Sequence, residues 1–296
     1  MLIVGVIILS LQDSLIKYMA SETSFWQLQF IRSIGNIILL FLIAKLTNGI
    51  DILFPIKWKP VYLRALTMTT CMFCFFAASP KLSFAQMAAG LYTFPLFVSF
   101  LAVIFLNERV GVWRLFALIL GSFGALLILE PWSKNFTYLQ FLPIMAGFFF
   151  ACNIILIRKY CREESVMSLT LAVGVMFFIS ALLGILFFEL IFQNNFLKEI
   201  SPFVFIGWPS LTLIIFTFCF SCSILNIIGN ILLAKAYQTA ESSWLAPMDY
   251  SYLVFAAIWG KIFFGVWPTF LNLIGMFFIA FSGILIAVRE QRKNEA

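Results

Sequence analysis

The sequence predicts an all-α polytopic membrane protein with ten transmembrane helices, arranged as two inverted five-helix repeats. Three observations support this fold class: the composition, the series of apolar segments and the distribution of positive charge. Of the 296 residues, 63% are hydrophobic and 11% are charged, and the mean hydropathy is +1.04. Soluble domains carry about 45–50% apolar and about 25% charged residues, so this chain lacks the polar surface that a water-soluble globule needs.

Ten apolar segments predict the membrane spans, because a transmembrane helix needs about 20 residues. Their apolarity is continuous rather than alternating, which favours helices over strands. The predicted spans are 2–19, 25–44, 61–79, 84–106, 113–130, 137–157, 167–190, 209–234, 243–264 and 267–288. The longest connections lie at 45–60 and 190–208, so little chain remains for a soluble domain.

The positive charges predict that both termini are cytoplasmic. With the N-terminus inside, 13 Lys and Arg residues lie in or beside the predicted cytoplasmic loops, and 4 lie in or beside the opposite loops. Cytoplasmic loops of membrane proteins are enriched in these residues. The net charge of +6 is therefore a topology signal, and the basic cluster at 289–293 is expected to contact anionic lipid headgroups rather than nucleic acid. We expect a multi-pass protein of a bacterial inner membrane.

The two halves of the chain resemble each other, which predicts an internal repeat. The segments that begin at Tyr92 and Asp249 superpose as two apolar helices joined by a tight turn, although general hydrophobic similarity is an alternative explanation. Five spans per half is an odd number, so the halves would lie in opposite orientations. Such inverted repeats are typical of secondary transporters. We assign the first repeat to 1–132, the second to 138–288, and a basic cytoplasmic tail to 289–296.

Several local patterns resemble the ten-helix EamA-type members of the drug/metabolite transporter superfamily. They are LQDSLIKYM (11–19), FIRSIG (30–35), YTFPLFVSFLAVIFLNERV (92–110), AYQTAESSWLAPMDYSYLVFAAIWGKIFFGVWPT (236–269) and SGILIAVREQ (282–291). The resemblance covers nearly the whole chain and implies two five-helix repeats. One departure is that Val266 stands where such proteins often carry a second Glu, whereas Glu108 occupies the first of these turns.

The resemblance implies a secondary transporter that moves a small polar or amphipathic metabolite by alternating access. An S-adenosylmethionine-like substrate, or another nucleoside or amino-acid-type metabolite, is favoured. Riboflavin, an amino acid or a drug is the alternative within the superfamily. From a different class, a non-transporting structural membrane subunit or a membrane-embedded lipid enzyme stays open. The expected partners are the small-molecule substrate and the lipid bilayer, with a coupling proton, a counter-substrate and a homodimer left open.

Charged residues within the spans are candidates for substrate or ion binding, since each costs about 2.5–3.5 kcal/mol at the centre of a helix on insertion scales. Asp13 and Lys17 are four residues apart on the first span and so share a face, and Arg32 lies in the second span. Together they would form a net positive triad that receives a carboxylate or another anionic group. The alternatives are a structural ion pair, or a Lys17 that reaches the outer surface.

Asp249, near the start of the ninth span, is the other intramembrane acid. It would bind a cationic substrate group, accept a coupling proton or pair with a base, unless it is a plain interfacial acid. Gln12 and Asn153 lie near equivalent positions of the two halves and add hydrogen-bonding groups, with contact between helices as the alternative role.

Aromatic residues near the ends of spans are a further set of candidates. Tyr92, Trp244 and Tyr250 would stack against a planar substrate, although anchoring at the membrane interface is the commoner role of Trp and Tyr. These three residues complete the predicted substrate-binding or ion-coupling set.

Several enzyme classes are excluded by missing residues. The chain has no His, which removes His-based catalysis and His-ligated metals, and it has no GxxxxGK[ST] loop for nucleotide binding. Two CxxC spacings, Cys71/Cys74 and Cys219/Cys222, lie inside apolar helices, where Cys packs as a small apolar residue. We therefore expect no enzyme activity, no catalytic residue, no metal and no cofactor.

Overall fold

A computed structural model describes residues 1–47, 49–106, 112–133, 137–192, 198–199, 201–239 and 248–294, and all regular structure in these ranges is helical. The helices are α1 (Leu2–Met19), α2 (Phe25–Leu46), α3 (Trp58–Ala77), α4 (Phe84–Leu91), α5 (Phe94–Leu106), α6 (Val112–Leu129), α7 (Phe141–Tyr160), α8 (Val166–Leu186), α9 (Pro202–Phe205), α10 (Leu213–Thr239), α11 (Ser251–Phe264) and α12 (Phe270–Asn294). Short 3-10 turns occur at Ile50–Leu53 and Tyr138–Gln140, and a π-turn follows α8 at Phe187–Ile191.

Seven helical stretches in the described ranges are long and apolar enough to cross a bilayer. They correspond to the predicted first to fourth and sixth to eighth spans. The apolar helices Leu115–Leu129, Ser251–Phe264 and Phe270–Leu285 correspond to the remaining three, and they are shorter. The all-helical, multi-pass architecture is confirmed, while the count of ten spans stays a prediction.

Polar caps fix where several helices begin and end. Ser24 and Ser165 accept hydrogen bonds from backbone N–H groups in the first turns of α2 and α8. Ser83 forms a reciprocal capping box with Gln86 at the start of α4. Gly265 ends α11 with a φ of 68°, a conformation that favours glycine. These caps supply partners for backbone groups that the helix ends leave unpaired.

The predicted fourth span, 84–106, is broken into two helices rather than being continuous. α4 ends at Leu91 and α5 begins at Phe94. Pro95 lies in the first turn of α5, where its missing N–H is tolerated. The Thr93 hydroxyl donates to the carbonyl oxygen of Gly90 at 2.7 Å and so gives the end of α4 a partner. The break leaves Tyr92 between two helix ends.

The helix pairings follow a regular pattern across the two halves of the chain. α6 packs on α12, α2 on α8, and α4 on α11. The contact of α1 with α10 corresponds to that of α7 with α3, and the contact of α2 with α10 corresponds to that of α8 with α3. The contact of α1 with α11 corresponds to those of α7 with α4 and with α5. Helices that occupy the same position in the order of spans, in residues 2–129 and in residues 141–294, therefore make equivalent contacts.

The crossing of α6 and α12 is close because two glycines face each other. A Cβ atom added to Gly124 would lie 2.7 Å from the carbonyl oxygen of Gly275, and one added to Gly275 would lie 2.7 Å from that of Gly124. Small residues at such crossings let helix backbones approach inside a membrane. The last helices of the two halves are therefore held backbone to backbone.

The outer surface of the bundle carries large apolar side chains. Leu213, Phe270 and Phe277 are exposed by 78%, 76% and 63%. Apolar surface of this extent suits contact with lipid rather than with water. The core, in contrast, buries polar side chains as well as apolar ones, among them Gln12, Gln29, Arg32, Asn36 and Asn153.

Candidate functional site

A cavity of about 280 Å³ lies between helices from both halves of the chain. Pockets for small molecules usually measure about 300–1,000 Å³, so this volume suits a small ligand. The polar lining from the long helices consists of Gln12 and Asp13 on α1, Arg32 and Asn36 on α2, Arg64 on α3, Thr170 on α8, and Asn226 and Asn230 on α10. Tyr92, Asp249 and Tyr252 line the cavity from the broken fourth span and the start of α11.

A chain of hydrogen bonds fixes the Asp13 carboxylate. The Tyr252 hydroxyl donates to Asp13 Oδ2 at 2.6 Å, and the Gln12 side-chain amide donates to Asp13 Oδ1 at 2.8 Å. The Asn226 amide donates in turn to Gln12 Oε1 at 2.9 Å. The chain joins α1, α10 and α11, so each Asp13 oxygen is held by a donor of the protein itself.

Arg32 is buried beside this network but is not paired with it. Its exposed fraction is 3%, and its Nε and Nη1 atoms are buried without a hydrogen-bond partner. No ion pair within 4.0 Å joins Arg32 to Asp13, although both side chains are described. The guanidinium carbon lies 5.5 Å from the centre of the Phe177 ring, within the range of a cation–π contact. The charge therefore faces the cavity with little support from hydrogen bonds.

Aromatic rings cover another part of the cavity wall. Tyr92 stacks on Tyr252 with their ring centres 5.1 Å apart and their planes 23° apart. Phe94 and Phe150, which also line the cavity, meet edge to face at 4.9 Å. Flat rings next to a guanidinium and several amides form a surface for a planar ligand with polar groups.

The cavity reaches from the middle of the bundle towards the end that holds the start of α1. Its lining runs through the middle of α1, α2 and α3, and it continues along the first half of α8 and the second half of α10. At the opposite end, the Trp26 indole donates to the carbonyl oxygen of Val204 and the Ser24 hydroxyl donates to that of Gly207, both at 2.8 Å. We call this end, where the segment 201–209 lies against the start of α2, the closed end.

The structure does not form the expected triad of Asp13, Lys17 and Arg32. The Lys17 ammonium instead donates to the carbonyl oxygens of Ser79 and Leu82, the latter at 2.7 Å. Asp13 and Lys17 share a helix face as predicted, but the turn between α3 and α4 offers the ammonium backbone acceptors. Lys17 therefore lies outside the cavity lining.

The remaining predicted site residues fall into three groups. Gln12, Asp13, Arg32, Tyr92 and Asp249 line the cavity. Tyr250 and Asn153 are buried but are not among the lining residues. The ring centre of Tyr250 lies 5.6 Å from that of Tyr92, and Asn153 lies on α7. Trp244 lies outside the described residues, as does Glu108.

Asn36 and Arg64 are among the polar lining residues that the sequence analysis did not single out. Asn36 lies four residues after Arg32 on α2, so helical spacing alone would place it on the same face. Arg64 stands near the start of the predicted span 61–79, close to the loop before it, but α3 begins at Trp58 and so carries Arg64 more than one turn into the helix. Its Nη1 atom donates to the carbonyl oxygen of Leu169 at 2.8 Å.

Metal chemistry finds no support in the part of the chain that is described. No group of three or more His, Cys, Asp or Glu residues there could hold a metal ion. Cys71, Cys74, Cys219 and Cys222 are buried free thiols that pack in the main apolar core.

Comparison with known proteins finds similarity to membrane transporters. Residues 1–130 match the model of the EamA-like transporter family. A riboflavin transporter of Vibrio cholerae is 26% identical over 209 residues, which cover 71% of this chain and 64% of that protein. A pseudopaline exporter, CntI, of Pseudomonas aeruginosa is 21% identical over 281 residues, which cover 94% of this chain and 89% of that protein.

Other matches extend this picture. An S-adenosylmethionine uptake transporter of Rickettsia bellii is 26% identical over 207 residues, which cover 68% of this chain and 62% of that protein. The matched region spans less than two thirds of the riboflavin transporters of Vibrio cholerae (64%) and Rhizobium johnstonii (63%). A solved crystal structure aligns with a TM-score of 0.54 at 15% identity, covering 97% of this chain and 95% of that one, which shows a shared fold.

Proposed function

Because this chain belongs to the EamA-type transporters of the drug/metabolite transporter superfamily, we propose that it is a secondary transporter and not an enzyme. It carries a small polar or amphipathic metabolite across the bilayer. The observation that carries the proposal is the central cavity, which polar side chains from both halves line inside an otherwise apolar bundle. Sites of this kind, between two repeats, are typical of secondary transporters.

The proposed architecture is ten spans in two inverted repeats, 1–132 and 138–288, followed by a basic tail at 289–296. Two findings support it. The family match ends at residue 130, close to the proposed end of the first repeat. Each main helix pairing also has a counterpart in which the halves are exchanged, as a two-fold axis in the membrane plane requires.

The proposed location is a bacterial inner membrane with both termini in the cytoplasm. The excess of Lys and Arg in the predicted inner loops supports this orientation. The cavity then extends from the middle of the bundle towards the cytoplasm, because its lining on α1 runs from Asp13 to Val6, near the start of the chain. The structure corresponds to a state in which the external end is closed.

For the substrate, the proposal is a nucleoside-type or amino-acid-type metabolite, with riboflavin as the alternative. Relatives that carry the names of riboflavin, S-adenosylmethionine and pseudopaline transporters support this range, since such compounds combine planar or apolar parts with polar groups. The stacked tyrosines and the amides of the cavity offer partners for both parts. Asp13 and Asp249 are the proposed positions for a coupling proton, and exchange against a counter-substrate needs neither.

Transport by purified protein in liposomes tests the proposal. Met68→Trp should reduce uptake of an active metabolite at least tenfold, because Met68 lines the cavity and a larger ring would fill it. Met145→Trp is the matched control, since Met145 is 44% exposed on α7, away from the cavity. No uptake of any metabolite by wild-type protein, or equal uptake by Met68→Trp, would contradict the proposal.

A further inference from the structure

We propose that the cavity selects organic molecules in which a carboxylate is attached to a planar ring, and that Arg32 binds the carboxylate. This inference rests on the proposed transport function and names the class of its substrate. It follows from the hydrogen bonds that the protein completes by itself and from those that it leaves open.

The hydrogen-bonding groups without a partner belong to Arg32 and not to Asp13. Both oxygens of Asp13 accept hydrogen bonds, from Tyr252 and from Gln12. Arg32 is more buried than Asp13, yet its Nε and Nη1 atoms have no partner. A guanidinium presents its donors as a rigid fork that matches the two oxygens of a carboxylate. Nε and Nη1 lie on different edges of the guanidinium, and each forms such a fork with Nη2. The site therefore lacks an acceptor for Arg32, and a carboxylate on either edge would supply one.

Because the Arg32 guanidinium is buried, the lack of an acceptor affects the stability of the protein. A buried charge without hydrogen bonds destabilises the protein far more than an exposed one, and it is strongly stabilised when a partner arrives. The ring of Phe177 contacts the guanidinium but provides no hydrogen-bond acceptor in the plane of its donors. A ligand carboxylate would supply that acceptor only while it is bound, which suits a site that must fill and empty.

The remaining wall of the cavity indicates what the carboxylate is attached to. Tyr92 and Tyr252 present stacked rings, and Phe94 and Phe150 add further aromatic surface. Aromatic rings pair with one another through offset stacking or edge contacts. A planar ring on the ligand would therefore complete the part of the cavity that Arg32 does not contact.

A series of compounds on one ring separates the contributions of charge. The probes are indole-3-propionate (anion), indole-3-propionamide (neutral), tryptamine (cation) and L-tryptophan (zwitterion), each titrated against purified protein by calorimetry. We expect indole-3-propionate to bind at least tenfold more tightly than its amide and than tryptamine. L-tryptophan then shows whether the acids of the same cavity also accept an ammonium group.

Two variants assign the preference to a residue. Arg32→Gln should abolish the tenfold preference for indole-3-propionate over its amide. Lys17→Gln should preserve it, because Lys17 is a cation of the same helix bundle that lies outside the cavity. A preference that survives in Arg32→Gln, or a wild-type protein that binds the amide equally well or binds none of the four probes, overturns the proposal.

The outcome for this inference is separable from the outcome for transport. Protein that moves other metabolites in liposomes but shows no preference for carboxylates keeps the proposed function and loses the inference. Protein that binds indole-3-propionate through Arg32 but moves no solute loses the proposed function alone.

A second, independent observation concerns Gln29, and we infer that it contacts the substrate when the closed end opens. Gln29, Arg32 and Asn36 share one face of α2, since they are three and four residues apart. Arg32 and Asn36 line the cavity, whereas Gln29 lies one turn nearer the closed end and does not. Gln29 is 1% exposed, and both its Oε1 and its Nε2 are buried without a partner.

The unsatisfied amide of Gln29 carries the inference. Leaving a buried donor or acceptor without a hydrogen bond destabilises a protein, so such groups in folded proteins call for an explanation. The neighbouring Gln27 shows the ordinary arrangement, since its amide bonds to Thr23 and to the carbonyl oxygen of Pro209. A role for Gln29 in a second state, in which the polar face of α2 continues the path from Arg32, explains its presence.

Replacement of Gln29 by an apolar residue of similar length tests this role. Gln29→Met should leave the melting temperature unchanged or higher, leave indole-3-propionate or another cavity ligand bound within twofold, and reduce liposome transport at least tenfold. Gln27→Met, the matched control, should lower the melting temperature. A Gln29→Met protein that melts lower, as expected if ordered water satisfies the amide, or one that transports at the wild-type rate, overturns the inference. Wild-type protein without any transport would instead contradict the proposed function.

Discussion

The Asp13 carboxylate accepts two hydrogen bonds, and the Tyr252 hydroxyl donates one of them. Tyr252→Phe keeps the ring and removes this bond, and a hydrogen bond to a charged group contributes about 1.5–3 kcal/mol. We expect a lower melting temperature in detergent. Tyr18→Phe is the control, since Tyr18 is 50% exposed near the end of α1. Equal melting temperatures for the two variants would show that the hydroxyl of Tyr252 does not support the fold.

At the scale of single residues, the sequence was a better guide to charged residues of the cavity lining than to Asn residues of that lining. Asp13 and Arg32 could be predicted because a charge inside an apolar span is costly and so stands out. Asn36 could not be ranked in this way, because an amide in a helix is common and its partner depends on tertiary packing. The position of Lys17 was also out of reach, since backbone carbonyls of a distant turn leave no sequence signal.

Lys17 ties the end of α1 to the turn between α3 and α4, and so acts at the scale of elements. Lys17→Met removes the hydrogen bonds to Ser79 and Leu82 while retaining much of the apolar stem. We expect a lower melting temperature with unchanged affinity for cavity ligands, measured by thermal shift and calorimetry. Lys81→Met, at an exposed position in the same turn, should change neither quantity. A loss of affinity in Lys17→Met would return Lys17 to the substrate site.

The glycine contact between α6 and α12 gives a second prediction for an element. Gly124→Ala places a methyl group 2.7 Å from the carbonyl oxygen of Gly275, so the helices must separate, and overpacking typically costs about 1–3 kcal/mol. Gly260→Ala is the control, because the nearest atom to its added methyl group is 3.6 Å away. Unfolding in denaturant should show a loss for Gly124→Ala and little change for Gly260→Ala. The same stability for both would mean that this crossing is not tightly packed.

Helices were predictable as elements because hydropathy reports long apolar runs directly. The described bounds of α1, Leu2–Met19, coincide with the predicted span 2–19. The break between α4 and α5 was not predictable from hydropathy, since residues 84–106 contain no charge and are mainly apolar. The break depends on local geometry at Thr93 and on the proline that follows, and a helix in a membrane can tolerate either arrangement.

For the whole molecule, the distribution of charge makes a prediction about topology. Reporter fusions after Lys57 and Arg162 should report cytoplasm, and fusions after Lys134 and Lys198 should report the opposite side. Alkaline phosphatase and green fluorescent protein fusions provide complementary signals. A periplasmic signal at Arg162 would contradict both the ten spans and the inverted repeat.

The sequence supports the proposal of two repeats, but it does not predict how their helices pack together. An odd number of spans per half is enough to infer opposite orientations. The symmetric pairings of α1 with α10 and of α3 with α7 depend on the shapes of helix surfaces, which composition does not reveal. The cavity is likewise a property of the assembled bundle, since its lining comes from residues as distant as Val6 and Tyr252.

The position of the cavity has an electrical consequence. In the proposed orientation, water in the cavity carries the cytoplasmic potential to Arg32, so that most of the membrane voltage falls across the closed end. One elementary charge that crosses the full voltage gains or loses about 2.3 kcal/mol per 100 mV. A carboxylate that leaves Arg32 outwards is therefore driven by a voltage that is negative inside, and one that enters is opposed by it. Import of such an anion against this voltage needs a concentration gradient or a positive charge that moves with it, whereas the voltage itself favours export.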